Sequence, residues 1–111
     1  LKGAILSTGF PFKMKSRLPE YLEMFNKLFE HCADVRRAGA AALDLAYVAA
    51  GRHDAFWEMG LKPWDILAGE LLVREAGGIV SDFQGGHNYV QSGNIAAGAP
   101  KALKQMLAQI R

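Results

Sequence analysis

Ala50-Gly51-Arg52-His53-Asp54-Ala55-Phe56-Trp57-Glu58-Met59-Gly60-Leu61-Lys62-Pro63-Trp64-Asp65 reads as the end of one helix, a strand, a connection and the start of the next helix. Gly51 suits a helix C-cap, where glycine turns the chain without a Cβ penalty. Residues 53–58, with the aromatic pair Phe56-Trp57, read as a strand, and Met59-Gly60-Leu61-Lys62 as its exit. Pro63 fits the first turn of a helix, where its missing N–H costs nothing. If Glu58 closes the strand and Asp65 opens the helix, both carboxylates lie at the C-terminal edge of a sheet. Open α/β folds bind ligands along that edge.

The same alternation extends outward in both directions. Residues 4–7 form a short apolar run that Thr8-Gly9-Phe10-Pro11 interrupts, the pattern of a buried strand delivering a loop. Over 18–32, Tyr21, Phe25, Leu28, Phe29 and Cys32 recur at helical spacing and predict one amphipathic helix. Residues 33–37 suggest a short strand, Gly39 breaks the pattern, and 40–50 form an alanine-rich helix. The next helix, 64–76, is apolar around most of its circumference, as expected between two packed layers, and Gly77-Gly78 ends it. Strands at 79–81 and 94–99 flank a polar, glycine-containing stretch, 82–93. Leu103, Met106, Leu107 and Ile110 mark a last amphipathic helix after Pro100. The predicted fold is an α/β layered sandwich, with a mostly parallel sheet covered by helices on both faces.

With 111 residues, the chain has room for one hydrophobic core and excludes two complete enzymatic domains. Half of the residues are hydrophobic and 22% charged, enough apolar surface to fold and therefore against disorder. A net charge of +2 is too small to imply nucleic-acid binding by bulk electrostatics. Cys32 is the single cysteine, which excludes an internal disulfide and fits a reducing cytoplasm. No apolar stretch approaches the roughly 20 residues that cross a bilayer, so no membrane partner is expected. Leu1 stands where an initiator methionine is usual, and structured-looking chain follows at once, which suggests a piece of a longer protein.

Several residues admit both a structural and a chemical reading. Asp65 near a helix N-terminus complements the macrodipole and caps backbone N–H groups. Equally, a hard cation such as Mg²⁺ takes one or two protein carboxylates and leaves positions for water and phosphate. Glu58 reads either as an exposed strand-end acid or as an acceptor for substrate hydroxyls. The run Arg36-Arg37-Ala38-Gly39-Ala40-Ala41-Ala42 leads from a strand into a helix N-terminus. Free N–H groups there can bind an anion or a sugar oxygen, unless the small residues serve only close packing. His31, His53 and His87 match no metal or nucleophile signature, and no Gly-x-Ser-x-Gly elbow is present. The glycine pairs 77–78 and 85–86 lack the setting of a dinucleotide or phosphate loop, which leaves them turn and cap duties.

The motif Glu58-Met59-Gly60-Leu61-Lys62-Pro63-Trp64-Asp65-Ile66-Leu67-Ala68-Gly69, continued by Glu75-Ala76-Gly77-Gly78, resembles the inositol monophosphatase family. The Gly-x-Ala-Ala run and the Gly-Arg-x-Asp turn upstream belong to the same resemblance, which covers essentially the whole chain. Thr8-Gly9-Phe10-Pro11-Phe12-Lys13 and Ser81-Asp82-Phe83-Gln84-Gly85-Gly86-His87-Asn88-Tyr89 are most similar to its bacterial extragenic suppressor branch.

Such enzymes are αβαβα sandwiches of about twice this length, so the resemblance makes residues 1–111 their C-terminal half. It implies that Asp65 is a Mg²⁺ ligand, that Gly39, Ala40 and Ala41 line the inositol, and that Glu58 accepts a hydrogen bond from an inositol hydroxyl. Arg36 is a further substrate contact by the same resemblance. The implied reaction is hydrolysis of an inositol phosphate by metal-activated water, with lithium sensitivity and a homodimer. The family's first signature, Asp-Pro-x-Asp-Gly-Thr, is absent from these residues, so the segment alone is expected to be inactive. The suppressor branch also implies a binding role toward the transcription and ribosomal RNA machinery, for which Arg36-Arg37 and Lys13, Lys15 and Arg17 offer a basic surface. Solvated charge or a dimer contact is the structural alternative.

Overall fold

The computed structural model describes residues 2–9, 15–37 and 39–110. Leu1, residues 10–14 (the Phe10-Pro11-Phe12-Lys13 motif and Met14), Ala38 and Arg111 lie outside the described residues. Five strands, β1 (Ile5–Thr8), β2 (Asp34–Arg36), β3 (Ala55–Glu58), β4 (Ile79–Ser81) and β5 (Ile95–Gly98), form one sheet in the order β2-β1-β3-β5-β4. Strand β1 runs parallel to β2 and β3, while β5 runs antiparallel to β3 and β4. Four strands thus point one way and β5 alone reverses, which is the mostly parallel sheet expected.

Helices α1 (Leu18–Phe29) and α5 (Pro100–Ile110) cover one face, and α2 (Ala41–Ala49) and α3 (Pro63–Glu75) the other; α4 (Tyr89–Ser92) is a single short turn. Alternation along β3 assigns its side chains. Ala55 and Trp57 join Leu6, Tyr21, Leu28 and Met106 under α1 and α5. Phe56 joins Leu45, Ile66, Val73, Val80 and Ile95 under α2 and α3. The period-two pattern therefore splits the core into two layers, one on each side of the sheet.

Several boundaries differ from the sequence expectation. Helix α1 stops at Phe29 rather than at Cys32; the His31 N–H bonds back to the Leu28 carbonyl in a tight turn. Phe29 is 53% exposed and stacks on Phe25, whereas Met24 takes the buried position. Strand β3 begins at Ala55, because the N–H groups of Arg52 and His53 are spent on the Tyr47 carbonyl in closing α2. Gly51 adopts φ +76, as required of the residue past the helix end. The polar stretch 82–93 holds α4, closed by Gly93 at φ +76. Tyr89 anchors it through its hydroxyl, which donates to Glu70 and accepts from Arg74 at 2.8 Å.

Candidate metal and substrate site at the sheet edge

Strands β1 and β3 are parallel and in register, so Thr8-Gly9 and Glu58 emerge side by side at the C-terminal edge. A Cβ on Gly9 would collide with the Glu58 carboxylate, so the glycine leaves the room this acid occupies. Beneath it, Thr8 and Tyr21 share a buried hydroxyl hydrogen bond of 2.9 Å. Burial, the largest cause, pushes the Tyr21 phenol up to about 12.

Glu58 is half-buried, and its carboxyl is pushed up to about 7. Burial is the main cause; the charges of Asp44 and Asp65 add to it and Arg37 opposes it. Three acids from β3, α2 and α3 therefore share one electrostatic neighbourhood. Asp65 sits in the first turn of α3, where its Oδ2 accepts the Lys62 N–H at 3.1 Å. The capping role read from the sequence is thus present in the structure, and it engages one oxygen of the carboxylate.

Helix α2 starts differently. Gly39 has φ +90, Ala40 is extended, and no side chain caps the first turn that begins at Ala41. Its leading N–H groups are left to solvent or to a ligand. Arg36 lies elsewhere: its Nε contacts Asp34 at 2.9 Å, and it faces a groove shared with Tyr47, Arg52 and His53. Arg37 is the arginine whose charge reaches both Glu58 and Tyr21.

Two contributors escaped the sequence reading. Asp44 is only 1% exposed on α2, and an acid inside an alanine-rich helix was the available signal. Gly9 read as turn chemistry alone. Among the described residues no group of three or more His, Cys, Asp or Glu side chains is placed to hold a metal ion. This edge supplies hard oxygen donors suited to a divalent cation, but not a full set of ligands.

The model of the inositol monophosphatase family matches residues 1–111. The chain belongs to that family. Within it, the chain is 66% identical over its full length to the Nus factor SuhB of Escherichia coli K12, covering 42% of that protein. The crystal structure of the extragenic suppressor protein suhB from Bartonella henselae superposes with a TM-score of 0.95 at 40% identity, over 100% of this chain and 42% of that one. The inositol monophosphatase from Anabaena (Nostoc) sp. PCC 7120 gives 0.91 at 35% identity, over 97% and 43%. This inositol monophosphatase family chain therefore spans about two fifths of the length of the relatives it matches, and its α/β fold is theirs.

Proposed function

We propose that residues 1–111 are the C-terminal part of a Mg²⁺-dependent phosphatase that hydrolyses an inositol phosphate to inositol and phosphate. The observation that carries this reading is the meeting of Glu58, Asp65 and the uncapped start of α2 at one sheet edge. Family membership supplies the reaction class. In this reading Asp65 gives the metal one carboxylate oxygen, and Gly39, Ala40 and Ala41 offer backbone groups along the inositol. Glu58 accepts a hydroxyl hydrogen bond once ionised, and Arg36 is at most a peripheral substrate contact. A bound divalent cation would neutralise phosphate charge and activate the attacking water. One carboxylate cannot hold the ion for catalysis, so the isolated segment is inactive and the full-length protein carries the activity.

The deciding experiment measures phosphate release from inositol 1-phosphate by the full-length protein with and without Mg²⁺, beside Asp65→Asn and the isolated segment. Loss of a metal carboxylate is expected to lower the rate by about 10²-fold or more, and the segment to be silent. An unaffected Asp65→Asn enzyme would remove Asp65 from the metal site. Lithium inhibition, a homodimer and a cytoplasmic location belong to the same proposal. Among the described residues, no helix is long and apolar enough to cross a membrane.

A second reading is favoured by one finding: relatives 66% identical to this chain are named Nus factors. In that reading the protein binds the transcription machinery, with or without catalysis. A full-length Asp65→Asn protein that has lost hydrolysis but still binds purified transcription proteins would separate the two roles.

A further inference from the structure

Below the acidic edge, Tyr21 of α1 touches both strands that carry it. Its hydroxyl shares the 2.9 Å hydrogen bond with Thr8, the last residue of β1. Its ring stacks on Trp57 of β3, with centroids 6.2 Å apart and planes 20° from parallel. Thr8 and Trp57 are register partners across the parallel β1 and β3, and each is followed by a site residue, Gly9 on one strand and Glu58 on the other. All three side chains are buried, Tyr21 and Trp57 completely and Thr8 to within 1%. The Trp57 indole N–H finds no hydrogen-bond partner among the described residues, so packing holds that ring. Burial is the main cause that keeps the Tyr21 phenol protonated, and the Glu58 charge adds to it, which puts the hydroxyl within electrostatic reach of that carboxylate.

A buried phenol needs a hydrogen-bond partner, and a backbone carbonyl would satisfy it. Here the partner is the side chain that ends β1, one residue before the glycine whose missing Cβ makes room for Glu58. A carboxylate binds a substrate hydroxyl best when its seat is fixed beforehand, because any freedom it keeps is lost on binding. We propose that Tyr21 is a positioning residue: by clamping Thr8 and Trp57 it fixes the separation of Gly9 and Glu58 and so pre-orients the Glu58 carboxylate for the hydroxyls of an inositol phosphate. This rests on the phosphatase reading and deepens it, because it names a residue that sets affinity for the inositol part of the substrate and not for its phosphate.

The test uses the full-length protein and measures kcat and KM for inositol 1-phosphate, together with Ki for inorganic phosphate, which has no ring hydroxyl to offer Glu58. Tyr21→Phe removes the hydroxyl and keeps the ring with its contacts. KM is expected to rise about fivefold, the worth of one hydrogen bond, while kcat and the phosphate Ki stay at their wild-type values. Thr8→Val removes the other end of the same bond and should give the same rise, whereas Thr8→Ser, which keeps a hydroxyl, stays near wild type. The double variant Tyr21→Phe/Thr8→Val should be no worse than either single one. If Tyr21→Phe does not fold, Thr8→Val against Thr8→Ser reads the same bond. A Tyr21→Phe enzyme that melts lower yet keeps the wild-type KM overturns the proposal and leaves the bond a stabilising contact only. So does a rise in KM matched by an equal rise in the phosphate Ki, which marks a general loosening of the site, or full additivity of the two single variants. A wild-type protein that releases no phosphate from inositol 1-phosphate removes the phosphatase reading and this inference with it, whereas an active wild type beside an unchanged Tyr21→Phe removes the inference alone.

Discussion

Glu58 is where burial and chemistry oppose each other. A free glutamate ionises near 4.3, yet this one is pushed up to about 7 by burial and then by Asp44 and Asp65. The native state therefore holds its proton more tightly than the unfolded chain does. The resulting stabilisation is complete below the unfolded pKa and is lost as pH rises through 7, an effect on the order of 3 kcal/mol. Thermal melts in EDTA should accordingly show stability falling between about pH 4.5 and 7, and Glu58→Gln should flatten that slope and melt higher than wild type at pH 8. An identical slope in the variant would place the titration elsewhere. Gly9 tests the same acid from the other side. Gly9→Ala puts a methyl group where the Glu58 carboxylate lies, so KM for inositol 1-phosphate should rise roughly tenfold, the worth of one displaced charged hydrogen bond, with kcat less affected.

At the scale of elements, α2 and α3 pack directly against each other, and Gly69 permits the close crossing. A Cβ there would lie 2.6 Å from the Leu45 Cβ, inside any real contact distance. Glycine to alanine inside a helix ordinarily stabilises by about 1 kcal/mol; here overpacking of about 1–3 kcal/mol opposes it. Gly69→Ala should therefore lower the denaturation midpoint; a higher midpoint for the variant would refute the tight crossing. This pair also shows what the sequence displays. The Ala-rich run, Pro63 and Gly77-Gly78 place α2 and α3 well, because start and stop chemistry is local. How closely the helices meet is tertiary and leaves only a small residue as its trace. Helix α1 ends sooner than its pattern predicts for a related reason: Cys32 keeps the apolar spacing after the backbone has turned. Helix α4 is not legible because four residues hold too little of a 3.6-residue period. At the site, Glu58 and Asp65 are legible from strand and helix ends, whereas Asp44 gains its meaning only from the packing that brings α2 beside β3.

Across the whole molecule, the two faces of the sheet are finished differently. Helix α5 turns Lys101, Lys104 and Gln105 outward. Helix α3 buries Ile66, Gly69 and Val73 yet leaves Trp64 74%, Leu67 54% and Leu71 60% exposed on its opposite side. Those three positions recur at i, i+3 and i+7, one continuous stripe. The sequence pattern explains this all-round apolar character by a helix packed between two layers, and the described residues form one of those layers. Uncovered apolar area of this extent drives association, because each large side chain removed from water is worth about 1.5–3 kcal/mol. The isolated segment is therefore expected to self-associate in sedimentation at micromolar concentration, and Leu67→Gln/Leu71→Gln to shift it toward monomer without lowering its melting temperature, since neither side chain belongs to the buried core. In the full-length protein the same two substitutions should destabilise by several kcal/mol if the rest of the chain supplies the second layer. A segment that stays monomeric with the leucines intact, together with a full-length protein indifferent to the change, would mean that the stripe faces water in both, and the layered arrangement would have to be given up for this helix.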